Sequence, residues 1–83
     1  MTMDNEKNIG EDHTLEEIFK KVKMISERTS DGHFTLLRFT TNWRAGFLTP
    51  TSREEIAKMA IGSTAKEAIL LAIINQVRDK YLL

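Results

Sequence analysis

The sequence contains no cysteine, which excludes disulfide bonds and zinc–thiolate sites and suits a reducing, cytoplasmic environment. It contains one proline in 83 residues, and this length leaves room for one domain. Basic and acidic residues are equal in number, 12 of each, so no net field draws the chain to long nucleic acid or to an anionic membrane. The longest apolar run, Ala68 to Ile74, is too short to cross a bilayer. These absences predict no membrane partner and no disulfide scaffold.

Residues that carry chemistry are also sparse. Neither His13 nor His33 is paired with a cysteine, and His33 has no second histidine or acidic partner at metal-ligand spacing. No Gly-rich phosphate loop is present. The adjacent pairs Glu16–Glu17 and Glu54–Glu55 fall on predicted helices, where neighbouring side chains diverge and cannot act as a carboxylate dyad. The sequence therefore predicts a protein that is not an enzyme and has no metal site and no cofactor.

The first 13 residues are polar and carry four acids against one lysine, with no apolar core of the kind that signal peptides have. They cannot bury enough apolar surface to offset the entropy of ordering. We therefore expect residues 1–13 to form a disordered acidic tail and residues 14–83 to form a single domain with a mild basic excess.

Three capping-box patterns mark where helices begin. In each, a serine or threonine is followed three residues later by glutamate, so that the hydroxyl and the carboxylate can each accept from the other residue's backbone amide. The patterns are Thr14–Glu17, Ser52–Glu55 and Thr64–Glu67. The predicted helices run from Leu15 to Arg28, from Arg53 to Ala60 and from Ala65 to about Tyr81, with Gly62 as the stop after the second.

Aromatic and β-branched residues after the first helix predict a β-hairpin. Its strands are Phe34–Thr40 and Trp43–Thr49, and Pro50 ends the second because proline cannot donate to a ladder. Asn42 is the expected pivot, since asparagine tolerates the left-handed conformation of short loops. The predicted order of elements is α-β-β-α-α, which is an α+β fold.

The register of the hairpin decides which side chains share a face. A loop of three residues pairs Phe39 with Trp43, places Arg38 opposite Arg44, and gives one apolar face of Leu37, Phe39, Trp43, Ala45 and Phe47. A loop of two residues, Thr41-Asn42, instead puts Arg38 on the face of Trp43 and Arg44 on the other. We prefer the three-residue register because its apolar face is continuous.

The last predicted helix is apolar on more than one side. Ile69, Ala72, Ile73 and Val77 form one stripe, while Leu70, Leu71 and Ile74 point elsewhere. A surface helix of a small monomer normally has a polar face through its middle, and an isolated two-stranded hairpin is marginal in water. Both observations favour self-association, so we expect a homo-oligomer, either a dimer or a larger assembly.

The hairpin carries a set of side chains suited to an anionic ligand: Arg38, Asn42, Trp43 and Arg44. An aromatic face can stack a base, an amide can read its edge, and guanidinium groups bind phosphate. If Arg38 and Arg44 oppose each other, their repulsion favours an anion between them. The alternatives remain open: both arginines are solvated or bound to glutamates, and Trp43 belongs to the core.

Two local resemblances accompany these patterns. The segment GSTAKEAILLAI, Gly62 to Ile73, resembles the helix start that follows the sheet in HicB-type antitoxins. The small size, the oligomer signal and the run TTNWRAGF, Thr40 to Phe47, resemble small phage-encoded proteins, some of which are cyclic-nucleotide sponges that blunt bacterial CBASS or Thoeris signalling. The second resemblance implies an anti-defence role in the host cytoplasm.

The leading functional hypothesis is a non-enzymatic protein that sequesters a cyclic nucleotide signal, or another small anionic ligand, near the hairpin at a subunit interface. The alternative hypothesis is a regulator that binds a partner protein, of the antitoxin or anti-defence kind. In that case the apolar last helix and the hairpin edge contact the partner.

Overall fold

The computed structural model describes residues 14–29 and 31–82, with side chains described through residue 78. Its elements are α1 (Leu15–Ser26), β1 (Thr35–Arg38), β2 (Trp43–Gly46), α2 (Arg53–Ala57), β3 (Ala60–Gly62) and α3 (Ala65–Leu82). The three strands form one antiparallel sheet in the order β1-β2-β3. The α+β class is therefore confirmed, while the predicted acidic tail, residues 1–13 with His13, lies outside the described residues.

All three predicted helix starts are confirmed. At α1 the capping box is complete: Thr14 Oγ1 accepts from the Glu17 amide at 3.1 Å, and Glu17 Oε1 accepts from the Thr14 amide at 3.0 Å. At α2 and α3 the cap hydroxyl accepts as expected, but the glutamate reaches one residue further back. Glu55 accepts from the Thr51 amide at 2.6 Å and Glu67 from the Ser63 amide at 2.7 Å.

The second helix was predicted too long, and a third strand was missed. Helix α2 ends at Ala57, and Ala60–Gly62 pairs with β2 instead of continuing the helix. Gly62, expected to stop a helix, lies in this strand opposite Trp43. Alanine and glycine have low β propensity, so β3 exists because of its partners rather than its own sequence. The order is α-β-β-α-β-α, and α1 also ends slightly earlier than predicted.

The preferred register of the hairpin was wrong. The observed pairs are Thr35–Gly46, Leu36–Ala45, Leu37–Arg44 and Arg38–Trp43. The Phe39 amide donates to the Asn42 carbonyl at 2.7 Å, so the two turn residues are Thr40 and Thr41. Neither predicted loop is observed, but the two-residue alternative assigned the faces correctly, since Arg38 shares a face with Trp43 and Arg44 does not. This shift moves Leu37 and Phe39 to the face opposite Trp43, because neighbouring residues of a strand point to opposite faces.

The hydrophobic core lies between one face of the sheet, here called the inner face, and helices α1 and α3. Buried residues come from α1, the sheet and α3: Ile18, Val22, Ala45, Ala60, Ala68, Ile69 and Ala72. Phe34, Leu36, Trp43 and Phe47 of the inner face are partly buried against them. Most core side chains of the sheet and α3 are alanines, and these small side chains let the helix approach the strands closely.

The buried and exposed residues of helix α3 differ in part from the prediction. Leu70 was predicted to point away from the stripe that contains Ile69, but Ile69 is buried in the core and Leu70 packs against it. Val77 was predicted to lie in the same stripe as Ile69, but it is 42% exposed. Leu71 and Ile74 are exposed, as predicted. Among the described residues, no helix is both long and apolar enough to cross a membrane.

Candidate functional site

The four candidate residues fall into two pairs on opposite faces of the sheet. Arg38 pairs with Trp43 across the ladder and shares the inner face with it, whereas Arg44 pairs with Leu37 and lies on the other side, here called the outer face. The expectation that Arg38 and Arg44 oppose each other and share one anion is therefore wrong. A single small anion cannot contact both guanidinium groups directly, because the sheet lies between them.

On the inner side, Arg38 covers the ring of Trp43. The guanidinium carbon lies 5.4 Å from the ring centroid, within the range of a cation–π contact. Arg38 is exposed, whereas Trp43 is half-buried and packs against the core. Trp43 therefore has a structural role whether or not it also meets a ligand, and the ring face beneath Arg38 is already occupied.

On the outer side, Arg44 is held in place by three groups of this chain. Its Nε donates to Asn42 Oδ1 and its Nη1 donates to the Ile56 carbonyl, both at 3.3 Å. Its guanidinium carbon also lies 5.2 Å from the ring centroid of Phe39. The Ile56 carbonyl belongs to the last turn of α2 and also accepts from the Met59 amide at 3.1 Å. Arg44 is thus pre-positioned by neutral partners.

Asn42 does not act as the predicted left-handed pivot. Among the described residues, positive φ occurs at Gly32 alone, at 68°. Asn42 instead uses its side chain within the loop: Oδ1 accepts from Arg44, and Nδ2 donates to Thr41 Oγ1 at 3.1 Å. Its amide therefore orients Arg44 and is not free to read the edge of a base.

Among the residues that the structure describes, no glutamate holds either arginine. The carboxylates of Glu55 and Glu67 accept from Thr51 and Ser63. Within residues 14–29 and 31–78, Arg38 and Arg44 contact rings and neutral oxygens, and no carboxylate pairs with them. Arg44 is therefore a half-buried cation without a counter-charge in this part of the chain.

Apolar side chains surround Arg44 on the outer face. Leu37 lies beside it on β1 and Ile61 beside it on β3, so the three residues form one row across all three strands. Ile61 is 48% exposed, and Phe39, two residues after Leu37 on the same face, is 40% exposed. Arg44 is one of the residues predicted from the sequence, whereas Ile61 is not, because the strand that carries Ile61 was not predicted.

A cavity of about 200 Å³ opens between β2, α2 and the C-terminal half of α3. Its apolar lining includes Met59 and Ala45, and its polar lining consists of Glu55, Lys58, Asn75 and Gln76. Glu55 accepts from Thr51 and Asn75 accepts from Arg78, so two of these groups are already engaged. The cavity is an open groove with few free polar groups and is a weaker candidate than the outer face.

A cluster of polar side chains connects the segment before β1 to the segment after β2, at the end of the hairpin opposite its turn. Asp31 accepts from the His33 amide at 3.0 Å and from the Thr49 amide at 3.1 Å, and His33 Nδ1 contacts Thr49 Oγ1. The bond from the His33 amide is the largest cause that lowers the pKa of Asp31, with smaller contributions from the His33 ring and Thr49. Because both carboxylate oxygens accept from backbone amides, the cluster joins the loop before β1 to the loop after β2.

A metal site is also not found in the described part of the chain, where no group of three or more histidine, cysteine, aspartate or glutamate side chains is placed to hold an ion. Comparison with protein-family models, with curated proteins and with solved structures finds no match for this chain.

Proposed function

We propose that this protein is a non-catalytic binding module that recognises a partner protein through the outer face of its sheet. The surface consists of Leu37, Phe39, Arg44 and Ile61. The observation that carries the proposal is the position of Arg44: a cation held by neutral partners, in a row of apolar side chains that are partly open to solvent.

The chemistry of this face indicates what the partner presents. A guanidinium has five N–H donors, and Arg44 uses two of them on Asn42 and Ile56, which leaves donors for a carboxylate. Such charge-assisted bonds are stronger than neutral ones, and they strengthen further when the neighbouring apolar groups are desolvated. The complementary segment carries an aspartate or glutamate flanked by apolar side chains.

The residue types of the outer face resemble those at the centre of many protein interfaces. Arginine and aromatic residues are enriched there, whereas lysine, aspartate and glutamate are depleted. Arg44 is already fixed by the ring of Phe39 and by two hydrogen bonds, so binding orders few additional rotamers. This proposal is the alternative hypothesis given above, a regulator that binds a partner protein. It differs in using the outer face of the sheet in place of the last helix and the hairpin edge.

A small anionic ligand, such as a cyclic nucleotide, is the second candidate. The observation that favours it is Arg38, whose exposed guanidinium lies over Trp43 and has no hydrogen bond with another described residue. Such a ligand uses Arg38 and Trp43, with Arg38 moving from the ring to admit a base. This candidate loses the contribution of Asn42 and Arg44, which lie on the other side of the sheet.

The partner hypothesis can be tested with a random peptide library displayed against the immobilised chain. We expect the enriched peptides to combine an acidic residue with apolar neighbours. Synthetic copies of them should lose affinity about tenfold to a hundredfold on Arg44→Ala and on Ile61→Asp, the effect of removing central interface residues. Arg38→Ala, which removes an arginine from the opposite face, is the matched control and should leave the affinity unchanged.

The nucleotide hypothesis is tested separately, by measuring the melting temperature in the presence of a ligand. A ligand that binds only the folded state raises the melting temperature with its concentration. A cyclic dinucleotide or cyclic mononucleotide that does so for the native chain, but not for Arg38→Ala, would favour the second candidate. Peptides that bind Arg44→Ala as well as the native chain would contradict the first.

A further inference from the structure

A second surface lies on α3, on the side that faces away from the sheet. Glu67, Leu71, Ile74 and Arg78 follow one another at intervals of four, three and four residues, so they form one stripe along the helix. All four are exposed, with Leu71 at 37% and Ile74 at 54%. The opposite side of α3 carries the buried residues Ala68, Ile69 and Ala72.

The stripe is symmetric about a point between Ala72 and Ile73. Leu71 and Ile74 lie equally far on either side of this point, and so do Glu67 and Arg78. The two apolar residues are at the centre, with an acid near the start and a base near the end. The whole stripe is about 16 Å long at the rise of an α-helix.

We propose that two copies of the chain pair through this stripe, with their α3 helices antiparallel about a two-fold axis at that point. In a two-fold interface the same patch faces itself, so each contact occurs twice. Leu71 of one copy then meets Ile74 of the other, and Glu67 meets Arg78. A parallel pair would instead bring Glu67 to Glu67 and Arg78 to Arg78, so the charges select the antiparallel arrangement.

Both charged side chains are partly ordered before pairing. Glu67 Oε1 accepts from the Ser63 amide at 2.7 Å and from the Ser63 hydroxyl at 3.2 Å. The second carboxylate oxygen of Glu67 can therefore accept from Arg78 of the other copy. Arg78 Nη2 donates to Asn75 Oδ1 at 2.8 Å and keeps further N–H donors. Val77, which is 42% exposed, lies beside the stripe and extends its apolar part.

The pairing leaves the proposed partner-binding surface open. Helix α3 packs on the inner face of the sheet, whereas Leu37, Arg44 and Ile61 lie on the outer face. A dimer formed through α3 therefore displays two outer faces and can bind two copies of a segment, or one partner with two such segments, with a gain from effective concentration. The dimer itself does not depend on the proposed function.

The first test is the mass of the native chain by sedimentation equilibrium at micromolar concentrations. We expect a dimer, and Ile74→Asp should convert it to a monomer with unchanged helical content. Ile61→Asp is the matched control, because it places the same charge at a similarly exposed isoleucine outside α3, and it should remain dimeric. A native chain of monomer mass throughout this range, or a dimeric Ile74→Asp, would overturn the proposal.

The second test examines the charge pairs and the direction of the helices. Glu67→Lys and Arg78→Glu should each weaken the dimer about tenfold, since each replaces two exposed ion pairs by two like-charge contacts. An equal mixture of these two variants should form a heterodimer of near-native affinity, because both of its charge pairs are again opposite. A mixture no tighter than the separate variants would contradict the antiparallel arrangement.

Glu67→Lys also removes the bond to the Ser63 amide and can destabilise the start of α3. Glu67→Gln addresses this effect, because its carbonyl oxygen can still accept from Ser63 while its charge is lost. We expect it to keep the helical content and to weaken the dimer less than Glu67→Lys does. A Glu67→Gln dimer as tight as the native one would show that the proposed ion pair does not contribute.

Discussion

Gly62 and Ala68 approach so closely that a Cβ atom on Gly62 would lie 2.9 Å from the Cα atom of Ala68. The backbone of Glu67 is equally near, with its carbonyl carbon at 2.9 Å. Gly62 belongs to β3, and Glu67 and Ala68 belong to the first turns of α3. The absence of a side chain at position 62 therefore fixes how close α3 lies to the sheet.

We predict that Gly62→Ala lowers the free energy of unfolding by about 3 kcal/mol, the upper part of the range for overpacking a tight interior. The atoms that a methyl group would meet are backbone atoms, so α3 must shift as a whole. Gly46→Ala is the control: its nearest atom is Leu48 Cδ2 at 2.5 Å, the end of a side chain that can rotate. Urea unfolding of both variants measures the difference, and an equal loss would contradict this account.

The observed register of the hairpin gives a second prediction, on two phenylalanines. Phe47 packs against the core and contacts Phe34, with ring centroids 4.9 Å apart, whereas Phe39 is on the outer face. Phe47→Ala should cost about 3 kcal/mol, the lower end for a core aromatic. Phe39→Ala should cost about 1 kcal/mol, the size of an exposed cation–π contact with Arg44. Thermal or urea unfolding would contradict the register if the two costs were reversed.

The parts of the fold that depend on local chemistry were predictable from the sequence. A capping hydroxyl and a glutamate three residues later act within one turn, so Thr14, Ser52 and Thr64 mark the helix starts without any knowledge of the rest of the chain. The end of α2 was not predictable in this way. Its residues continue a helical pattern, and only the pairing of Ala60–Gly62 with β2 ends it.

The candidate site was predicted in part for a related reason. Residue type identified Arg38 and Arg44, but which face each occupies depends on the register of the hairpin, and a shift of one residue exchanges the faces. The turn over Thr40-Thr41 lacks the Asn-Gly or Asp-Gly signature that would have fixed the register. Ile61 could not be found without β3.

Asp31 gives a prediction on pH. Its pKa is lowered from an ordinary value of 3.8, chiefly by the His33 amide, so its ionised form stabilises the folded state. This contribution is fully present above the unfolded pKa and is lost as the pH falls through the lower, folded pKa. Asp31→Asn should therefore be less stable than the native chain at neutral pH, and the difference should narrow below pH 3.8.

Unfolding curves at several pH values measure this effect. Glu27→Gln removes the same charge from an exposed position at the end of α1 and corrects for the change in net charge. A difference between Asp31→Asn and the native chain that is the same at acid and neutral pH would mean that the ionised carboxylate of Asp31 is not what joins the two loops.

The two arginines should differ in their effect on stability. They lie on opposite faces of the sheet, so the repulsion expected if they opposed each other is absent. Arg44→Ala removes the bonds to Asn42 and Ile56 and the contact with Phe39, and we expect it to lower the free energy of unfolding by about 1–2 kcal/mol, allowing for its partial exposure. Arg38→Ala removes one exposed cation–π contact and should cost about 0.5–1 kcal/mol at most.

Arg44→Lys completes the series. One ammonium group cannot replace a planar guanidinium that donates in two directions, so the free energy of unfolding of Arg44→Lys should be closer to that of Arg44→Ala than to that of the native chain. Urea unfolding of the three variants gives the order, and an Arg44→Ala variant as stable as the native chain would mean that Arg44 is not held by its neighbours.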